Sequence, residues 1–436
     1  MREISRRQFT SGLAATAAMV ALAPQRGSAQ TSVAEVTKKL PKRYAGTTLR
    51  ILFGTGVSWD ILAANTREFS EATGIKLDFT MGQYMDRYTK MVLDVTTGTN
   101  SFDVYPVAYQ WKYDVAAYLA DLSHIDKEID GAPALDLDDY AKRPLEIYGK
   151  VGDRLVSLPI MGDVTFLVWN KKRYQTAGLD PERAPSSWAE VVANGKKLTS
   201  GSQYGYGLPS GKNIQAATVW MQLFNTNGGK YFDEKGQPQF NSKAGVDALD
   251  FMVSQLRPLS PPGVLTWDIA ETASSFATEQ VAQLLSWPSS FGIFSDPGKS
   301  AAAGHFGWTT PPGGAVLGGH GVGVNAKSRN LEPAKLFVAW FTSKEIVFRT
   351  ALAGAAPVRM SAFRNPKLIE KYKFFPTVAK ALEGPVCEFV PTKEAEQIHR
   401  IIFDEVNAAV AKTKTPQTAV DAMQRSVTDF LKRRGK

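Results

Sequence analysis

Thr48-Leu49-Arg50-Ile51-Leu52-Phe53-Gly54 opens the stretch that decides the fold, and Asp103-Val104-Tyr105-Pro106-Val107 closes it. The first run is β-prone and stops at a glycine. Ser58 is placed to cap a helix from Trp59 to about Ala72, which Gly74 ends. Ile75, Leu77 and Phe79 then alternate as a strand does. A second helix is predicted from about Met85 to Thr96, leading into the closing run. Strand, helix, strand, helix, strand points to a parallel sheet with helices on both faces. Such sheets hold ligands outside the carboxyl ends of their strands.

Downstream, a second region starts near Leu155-Val156-Ser157-Leu158-Pro159-Ile160. It continues through a strand at Thr165-Phe166-Leu167-Val168-Trp169 and a helix starting near Ser187. Helices are expected over about 243–256, 332–341 and 392–411, and from Pro416 to about Leu431. Val281 to Trp287 is strand-like. The glycine- and proline-rich segment from Pro311 carries a strand only at Gly321-Val322-Gly323-Val324. Upstream, Lys38, Lys39, Lys42 and Arg43 mark residues 30–45 as a basic linker.

With 436 residues the chain has room for two or three domains. Its 21% charged and 44% hydrophobic content is globular and excludes a disordered or collagen-like chain. A lone Cys387 excludes an intramolecular disulfide framework and a Cys-rich zinc site. His124, His305, His320 and His399 are too far apart in sequence to form a local metal box.

Residues 1–29 read as an export signal, outside the fold. Ser5-Arg6-Arg7-Gln8-Phe9 precedes an apolar run from Gly12 to Ala23, too short to span a bilayer, and Gly27-Ser28-Ala29 supplies small residues for cleavage. The pattern resembles a twin-arginine signal, with an ordinary secretory signal as the alternative. No cysteine at the cleavage point argues against a lipid anchor there, so a soluble periplasmic chain is expected. Cleavage removes Arg2, Arg6, Arg7 and Arg26 with Glu3, which takes +3 of the formal +9. The remaining basic residues are scattered, and Lys432-Arg433-Arg434-Gly435-Lys436 reads as a solvated helix end. Without aromatic–basic interleaving, a nucleic-acid partner is not expected.

Local catalytic signatures are missing. Gly54-Thr55-Gly56 mimics a dinucleotide fingerprint, but Trp59 stands where its third glycine belongs. Gly318-Gly319-His320-Gly321 is not followed by a Lys-[Ser/Thr] pair, so it is no Walker loop. No Gly-x-Ser-x-Gly elbow and no His-Glu-x-x-His occurs. A glycosidase stays open, because its two carboxylates need no local motif.

From about residue 46 to 430 the chain resembles the family 1 extracellular solute-binding proteins of ABC importers, the maltose-binding type. Several blocks in order carry the resemblance: Glu71-Ala72-Thr73-Gly74-Ile75-Lys76-Leu77, then Asp103-Val104 with Leu119-Ala120-Asp121-Leu122. Leu158-Pro159-Ile160, Asp163, Trp169-Asn170-Lys171 and Ala177-Gly178-Leu179 follow, and then Ser186-Ser187-Trp188-Ala189-Glu190. Asn227-Gly228-Gly229, Thr310-Pro311-Pro312-Gly313-Gly314, Gly318-Gly319-His320, the run from Ala334 to Ser343, and Pro357-Val358-Arg359 complete the order. The chain departs from the pattern in three places. Trp169 replaces the usual tyrosine, His320 takes the aromatic position, and the glycine before Leu119 is missing.

The resemblance implies an α/β, two-lobed periplasmic-binding-protein fold of type II, each lobe a mostly parallel sheet flanked by helices. One lobe would hold 46–154 plus 311–358, the other 155–310 plus 359–436. A sugar or polyol would bind in the cleft, hinge closure would follow, and a membrane ABC permease would receive the ligand. No enzymatic step, cofactor or metal is implied, and the chain would act as a monomer.

Sugars and polyols need flat apolar surfaces for C–H faces and charged or amide groups for hydroxyls. On the matching positions, Trp287 is the stacking indole, Asp163 the hydroxyl acceptor, Gly319 and His320 the cleft turn, and Arg359 a bidentate donor. Thr55, Ser58 and Trp59 would come from the first strand's loop, and Tyr109, Gln110 and Trp111 from the third strand's. Asn213, with Gln215, is a further candidate. Trp169, Trp188, Trp220 and Trp340 read as core. An anionic ligand such as a sugar phosphate is the alternative that Arg359 and His320 together would favour.

Overall fold

The computed structural model describes residues 32–435; the signal expected over 1–29, with its arginine pair, lies outside the described residues. Strands β1 (Thr48–Gly54), β2 (Lys76–Gly82) and β3 (Val104–Ala108) lie in the order β2-β1-β3, and both ladders are parallel. Thr48 pairs with Lys76, and the β1–β2 register runs unbroken to Gly54 and Gly82. Leu49, Ile51 and Phe53 enter one apolar cluster while Leu52 enters another. The sheet is therefore covered on both faces, as a parallel sheet requires.

The first crossover is two helices, Val57–Ala64 and Arg67–Thr73, where the sequence predicts one. The side chains of Asn65 and Thr66 donate back to the carbonyls of Ile61 and Ala63, which competes with helix continuation. Gly74 ends the second helix in the left-handed conformation, as expected. Gly56, rather than Ser58, stands at the N-cap, because the helix already begins at Val57. The expected linker also differs, since it contains the helix Val33–Lys38, closed by a reciprocal capping box between Ser32 and Glu35. Val36 and Leu40 are buried, and the Trp340 indole donates to Thr37 Oγ1 at 3.1 Å. This segment is packed.

The short β4 (Lys150–Val151) and β5 (Arg154–Leu155) form a hairpin ahead of β6 (Leu158–Val164) and β7 (Phe166–Asn170). Strands β8 (Gln283–Ser286) and β9 (Phe306–Thr309) flank β7 in a second sheet. Both of its ladders are antiparallel, against the expectation of a mostly parallel sheet in each lobe. A covered sheet produces the same continuous apolar runs in either direction, so the sequence carries no signal of ladder sense.

Strand β10 (Ala315–Val324) joins the two halves of the molecule, and β11 (Val386–Cys387) pairs with its first two residues. β10 runs antiparallel to β3 through His320–Val324 and antiparallel to β6 through Leu317–Val322. Ala315, Val316 and Leu317 belong to the larger core, Val322 and Val324 to the core of the first sheet. β6 is divided in the same way: Leu158 and Ile160 join the first core and Val164 the larger one. Two adjacent strands therefore carry the backbone between two cores.

Sequence reading gives β10 only its last four residues, because glycine is depleted in strands. Here the glycines answer to close approach. At Gly319, φ is +104°, and an added Cβ would fall on the Met161 carbonyl oxygen and lie 3.0 Å from the Tyr148 hydroxyl. The β10–β6 register shifts next door, between His320 and Gly321. Gly319→Ala is expected to cost about 1–3 kcal/mol and to lower the melting temperature. Gly292→Ala, whose added Cβ meets nothing within 4 Å, should leave it unchanged or raise it. Equal melting temperatures for the two variants would contradict the steric argument.

The larger core also takes the helices Ile214–Thr226, Ala395–Val410 and Pro416–Arg433. Trp169, Trp188, Trp220 and Trp340 are all buried, as expected of core indoles. No helix among the described residues is long and apolar enough to cross a membrane.

Candidate functional site

A cavity of about 710 Å³ opens where the two cores face each other, within the ~300–1,000 Å³ usual for small-molecule sites. Gln83, Tyr84 and Gln110 line it from the helix start and the helical turn that follow the carboxyl ends of β2 and β3. Asp163 on β6, Asn213, Trp287 and the turn Gly318-Gly319-His320 line it from the crossover strands and the larger core.

Trp287 follows β8 directly and is held in one orientation. Its Nε1 donates to Gln215 Oε1 at 2.9 Å, and its ring lies against Gly318, where no side chain intervenes. Asn213 caps the helix Ile214–Thr226: its Oδ1 accepts from the Gln215 amide and its Nδ2 donates to the Trp267 carbonyl. The Asn213 side chain is thus committed within the protein, although it borders the cavity. Asp163 is different. Its Oδ1 is out of solvent and has no hydrogen-bond partner, and burial pushes its carboxyl up to about 7.

His320 faces the same space from β10, with both ring nitrogens unpartnered. Burial, with the nearby Arg87 charge, holds its pKa well below the ordinary value, so the ring is neutral. A neutral imidazole offers one donor and one acceptor. Around it lie Trp59, edge-on at 4.9 Å, and the rings of Tyr84 and Trp111. Arg87 stacks its guanidinium 4.6 Å over the Trp59 ring, with Nε and Nη1 unpartnered. Burial lowers Arg87 to about 10, which leaves it charged at neutral pH. The Trp59 indole in turn lies where a Cβ on Gly54 would sit, which gives the first glycine of Gly54-Thr55-Gly56 a packing role.

One face of the helix Ala395–Val410 forms the remaining wall through Glu396, Arg400, Phe403 and Asp404, spaced as a helical stripe. Glu396 is buried and accepts from the Trp111 indole at 2.7 Å and the Tyr84 hydroxyl at 2.8 Å. Gln110 Nε2 donates to that same hydroxyl, while its Oε1 stays unpartnered. Lys212 lies 3.9 Å from Asp404 at the rim.

Six expected contacts lie elsewhere or face away. Arg359 is 1% exposed and spends its donors on the carbonyls of Leu135, Asp136 and Thr342 and on the Tyr140 hydroxyl. It stacks on Tyr140 at 4.1 Å and pairs with Asp139 at 3.6 Å, so it is a strut outside the cavity. The Tyr109 hydroxyl donates to the Leu317 carbonyl and accepts from the Phe389 amide, which fills its capacity inside the core. Trp111 is fully buried and acts on the site indirectly, through its hydrogen bond to Glu396 and its ring contacts with Tyr84 and His320. Thr55 is exposed and Ser58 half-buried, and neither borders the cavity. Trp59 supports Arg87 and His320 from below.

Tyr84, Arg87, Glu396 and Arg400 were not among the expected site residues. Tyr84 and Arg87 open the helix after β2, where the strand-end rule directs attention. The Glu396–Asp404 stripe has no such signal, since a polar helix face reads as solvated until its neighbours are known.

A profile of the bacterial extracellular solute-binding protein family matches residues 56–347. The probable amino-acid ABC transporter periplasmic-binding protein y4oP of Sinorhizobium fredii is 47% identical over 434 residues, 99% of each chain. The erythritol/L-threitol-binding protein of Mycolicibacterium smegmatis is 23% identical over 430 residues, 90% of each chain. Among solved structures, an ABC transporter solute-binding protein of Agrobacterium radiobacter K84 in complex with ribitol superposes with TM-score 0.81. It is 29% identical, over 90% of this chain and all of that one. The maltose-bound MalE3 of T. maritima shares the two-lobed fold at TM-score 0.79 and 22% identity, covering 88% of this chain and all of its own. Two cores joined by crossover strands, a cavity between them and these matches together place the chain in the family of bacterial extracellular solute-binding proteins.

Proposed function

We propose that the chain is the exported receptor of an ABC importer, and that it captures a small neutral polyol or sugar between its lobes for delivery to a membrane permease. The observation that most supports this ligand class is the pairing of the Trp287 wall with Asp163, His320 and Gln110, cavity-lining residues that each carry a buried polar atom without a protein partner. A C–H face on the indole would bury ~50–100 Å² and stabilise by roughly 1–3 kcal/mol. Hydroxyls would satisfy the orphaned donors and acceptors. The ribitol complex of the 29% identical protein supports the polyol class. In this reading the lobes are close to 46–154 plus 311–358 and 155–310 plus 359–436, with the boundaries moved into β6 and β10, where Leu158 and Ile160 join the first core and Ala315 to Leu317 the larger one. Ligand contacts to both lobes favour the closed state. The chain works as a periplasmic monomer without cofactor, and no bond is made or broken in it.

A second reading is an amino acid. The name of the 47% identical relative favours it, as do Arg400 and Lys212 on the same cavity as Asp268 and Asp404, which suit a carboxylate and an ammonium. A sugar phosphate loses its main support, because Arg359 lies outside the cavity.

Thermal melts with ribitol, erythritol, mannitol, maltose, glycerol 3-phosphate and the common amino acids separate these readings. A polyol at about 100 times its Kd should add about 2.7 kcal/mol, with no product formed. Stabilisation by amino acids alone would overturn the polyol reading, and turnover of a glycoside would overturn the receptor reading.

A further inference from the structure

We infer that ligand capture at this site is coupled to release of one proton from Asp163, so that the receptor binds tightly at neutral pH and lets go in acid. The inference rests on the polyol reading above. Asp163 sits on a crossover strand, paired with Gly318 across the β6–β10 ladder, and its side chain borders the cavity beside Trp287. Its Oδ1 is enclosed and unpartnered, and among the described residues no lysine, arginine or histidine lies within ion-pair distance of it. One oxygen of this half-buried carboxylate has lost its water without gaining a cation, which favours the neutral acid. That is the direction in which burial moves it, to about 7.

A polyol hydroxyl donating to Asp163 stabilises the charged form more than the neutral acid, because a carboxylate is the stronger acceptor. Binding therefore pulls the carboxyl pKa down and expels whatever share of the proton the empty site holds, nearly all of one at pH 6 and about half at pH 7. The sign follows directly: below about 7, part of the binding free energy goes into deprotonation, and affinity falls as pH falls.

Other groups around the cavity do not supply the same switch. From β10, His320 is held far below its ordinary pKa and stays neutral across the window. From the helix Tyr84–Thr97, burial raises Tyr84 and leaves Arg87 charged, so neither changes state near neutrality. The Tyr148 hydroxyl, bonded to the Gly318 carbonyl behind Asp163, is pushed well above its ordinary value. On the helix Ala395–Val410, Glu396 is held below the usual carboxylate range by its His399, Tyr84 and Trp111 neighbours against the penalty of burial. Arg400, Asp404 and Lys212 stand at the open rim. Asp268, raised by burial at its helix cap, is the one other carboxyl shifted upwards on this cavity.

Isothermal titration of the full mature chain with ribitol, at pH 5.5 and 7.5 and in two buffers of different ionisation enthalpy, tests the coupling. One proton leaving a group near 7 predicts a Kd about 25-fold weaker at pH 5.5, with close to one proton released per ribitol at pH 6. Asp163→Asn should flatten the pH dependence, while Asp268→Asn should keep it. If Asp163→Asn fails to bind or to fold, the proton count of the unsubstituted protein still decides. A pH-independent Kd, zero protons released, or an unchanged slope in Asp163→Asn overturns the coupling and leaves the polyol reading standing. Absence of binding by ribitol, erythritol and mannitol at both pH values overturns both.

Discussion

Arg359→Met lowers the unfolding free energy by about 3–5 kcal/mol and leaves ribitol affinity within twofold. The guanidinium is enclosed by three segments distant in sequence: the loop at 135–140, the end of the helix Leu331–Phe341 and its own strand-like neighbours. Removing it strands the buried carbonyl of Leu135, leaves that of Thr342 with only a 3.5 Å bond from the Tyr140 hydroxyl, and takes a cation from the half-enclosed Asp139. Each orphaned acceptor costs about 1–3 kcal/mol. Arg359→Lys should recover only part of the loss, because an ammonium cannot reproduce the fork or the stack on Tyr140. Chemical denaturation of the three proteins, with ribitol titrated into each, gives both readouts. A stable Arg359→Met protein with abolished binding would return this residue to the ligand site.

Trp287→Leu weakens ribitol binding about 10- to 100-fold, the equivalent of losing ~50–100 Å² of flat apolar contact. Leucine is the informative substitution because Trp287 also belongs to the larger core, and truncation to alanine would mix folding with binding. The Gln215–Trp287 hydrogen bond sets a second expectation. Gln215→Leu keeps the volume but frees the indole plane, and should weaken ribitol by a smaller factor while shifting the tryptophan emission. Calorimetry at one pH measures both. Full affinity in Trp287→Leu would remove the indole from the ligand's surroundings.

The first sheet was legible because parallel strands with intervening helices impose a rhythm that local sequence must obey. Gly74 stopped its helix where expected. The two-helix break at Asn65-Thr66 was not legible, since it depends on side-chain back-bonding that competes on nearly equal terms with helix. β10 was mostly hidden because its glycines respond to neighbouring backbone rather than to strand propensity. At the site, Trp287, Asp163, Gln110, Asn213 and the Gly319-His320 turn do border one cavity, each lying at a strand end, a crossover or a helix start. Arg359 was misplaced because a motif fixes where an arginine enters the fold and says nothing about which way its fork points. The Glu396–Asp404 wall comes from a helix remote in sequence, and only tertiary packing turns that polar face inward.

The division of β10 between two cores bears on how the molecule is made. The edge of β3 stays unpaired until residue 324 has been synthesised, and the larger core waits further for the helices at 395–433. At ~5–20 residues per second, the interval from β3 to the end of β10 lasts roughly 10–40 s. Throughout it the chain carries an open sheet edge that invites pairing with other chains. Neither half can finish folding before the other is nearly complete. A break in the chain before residue 315 therefore leaves no half-sized receptor, only two unfinished cores.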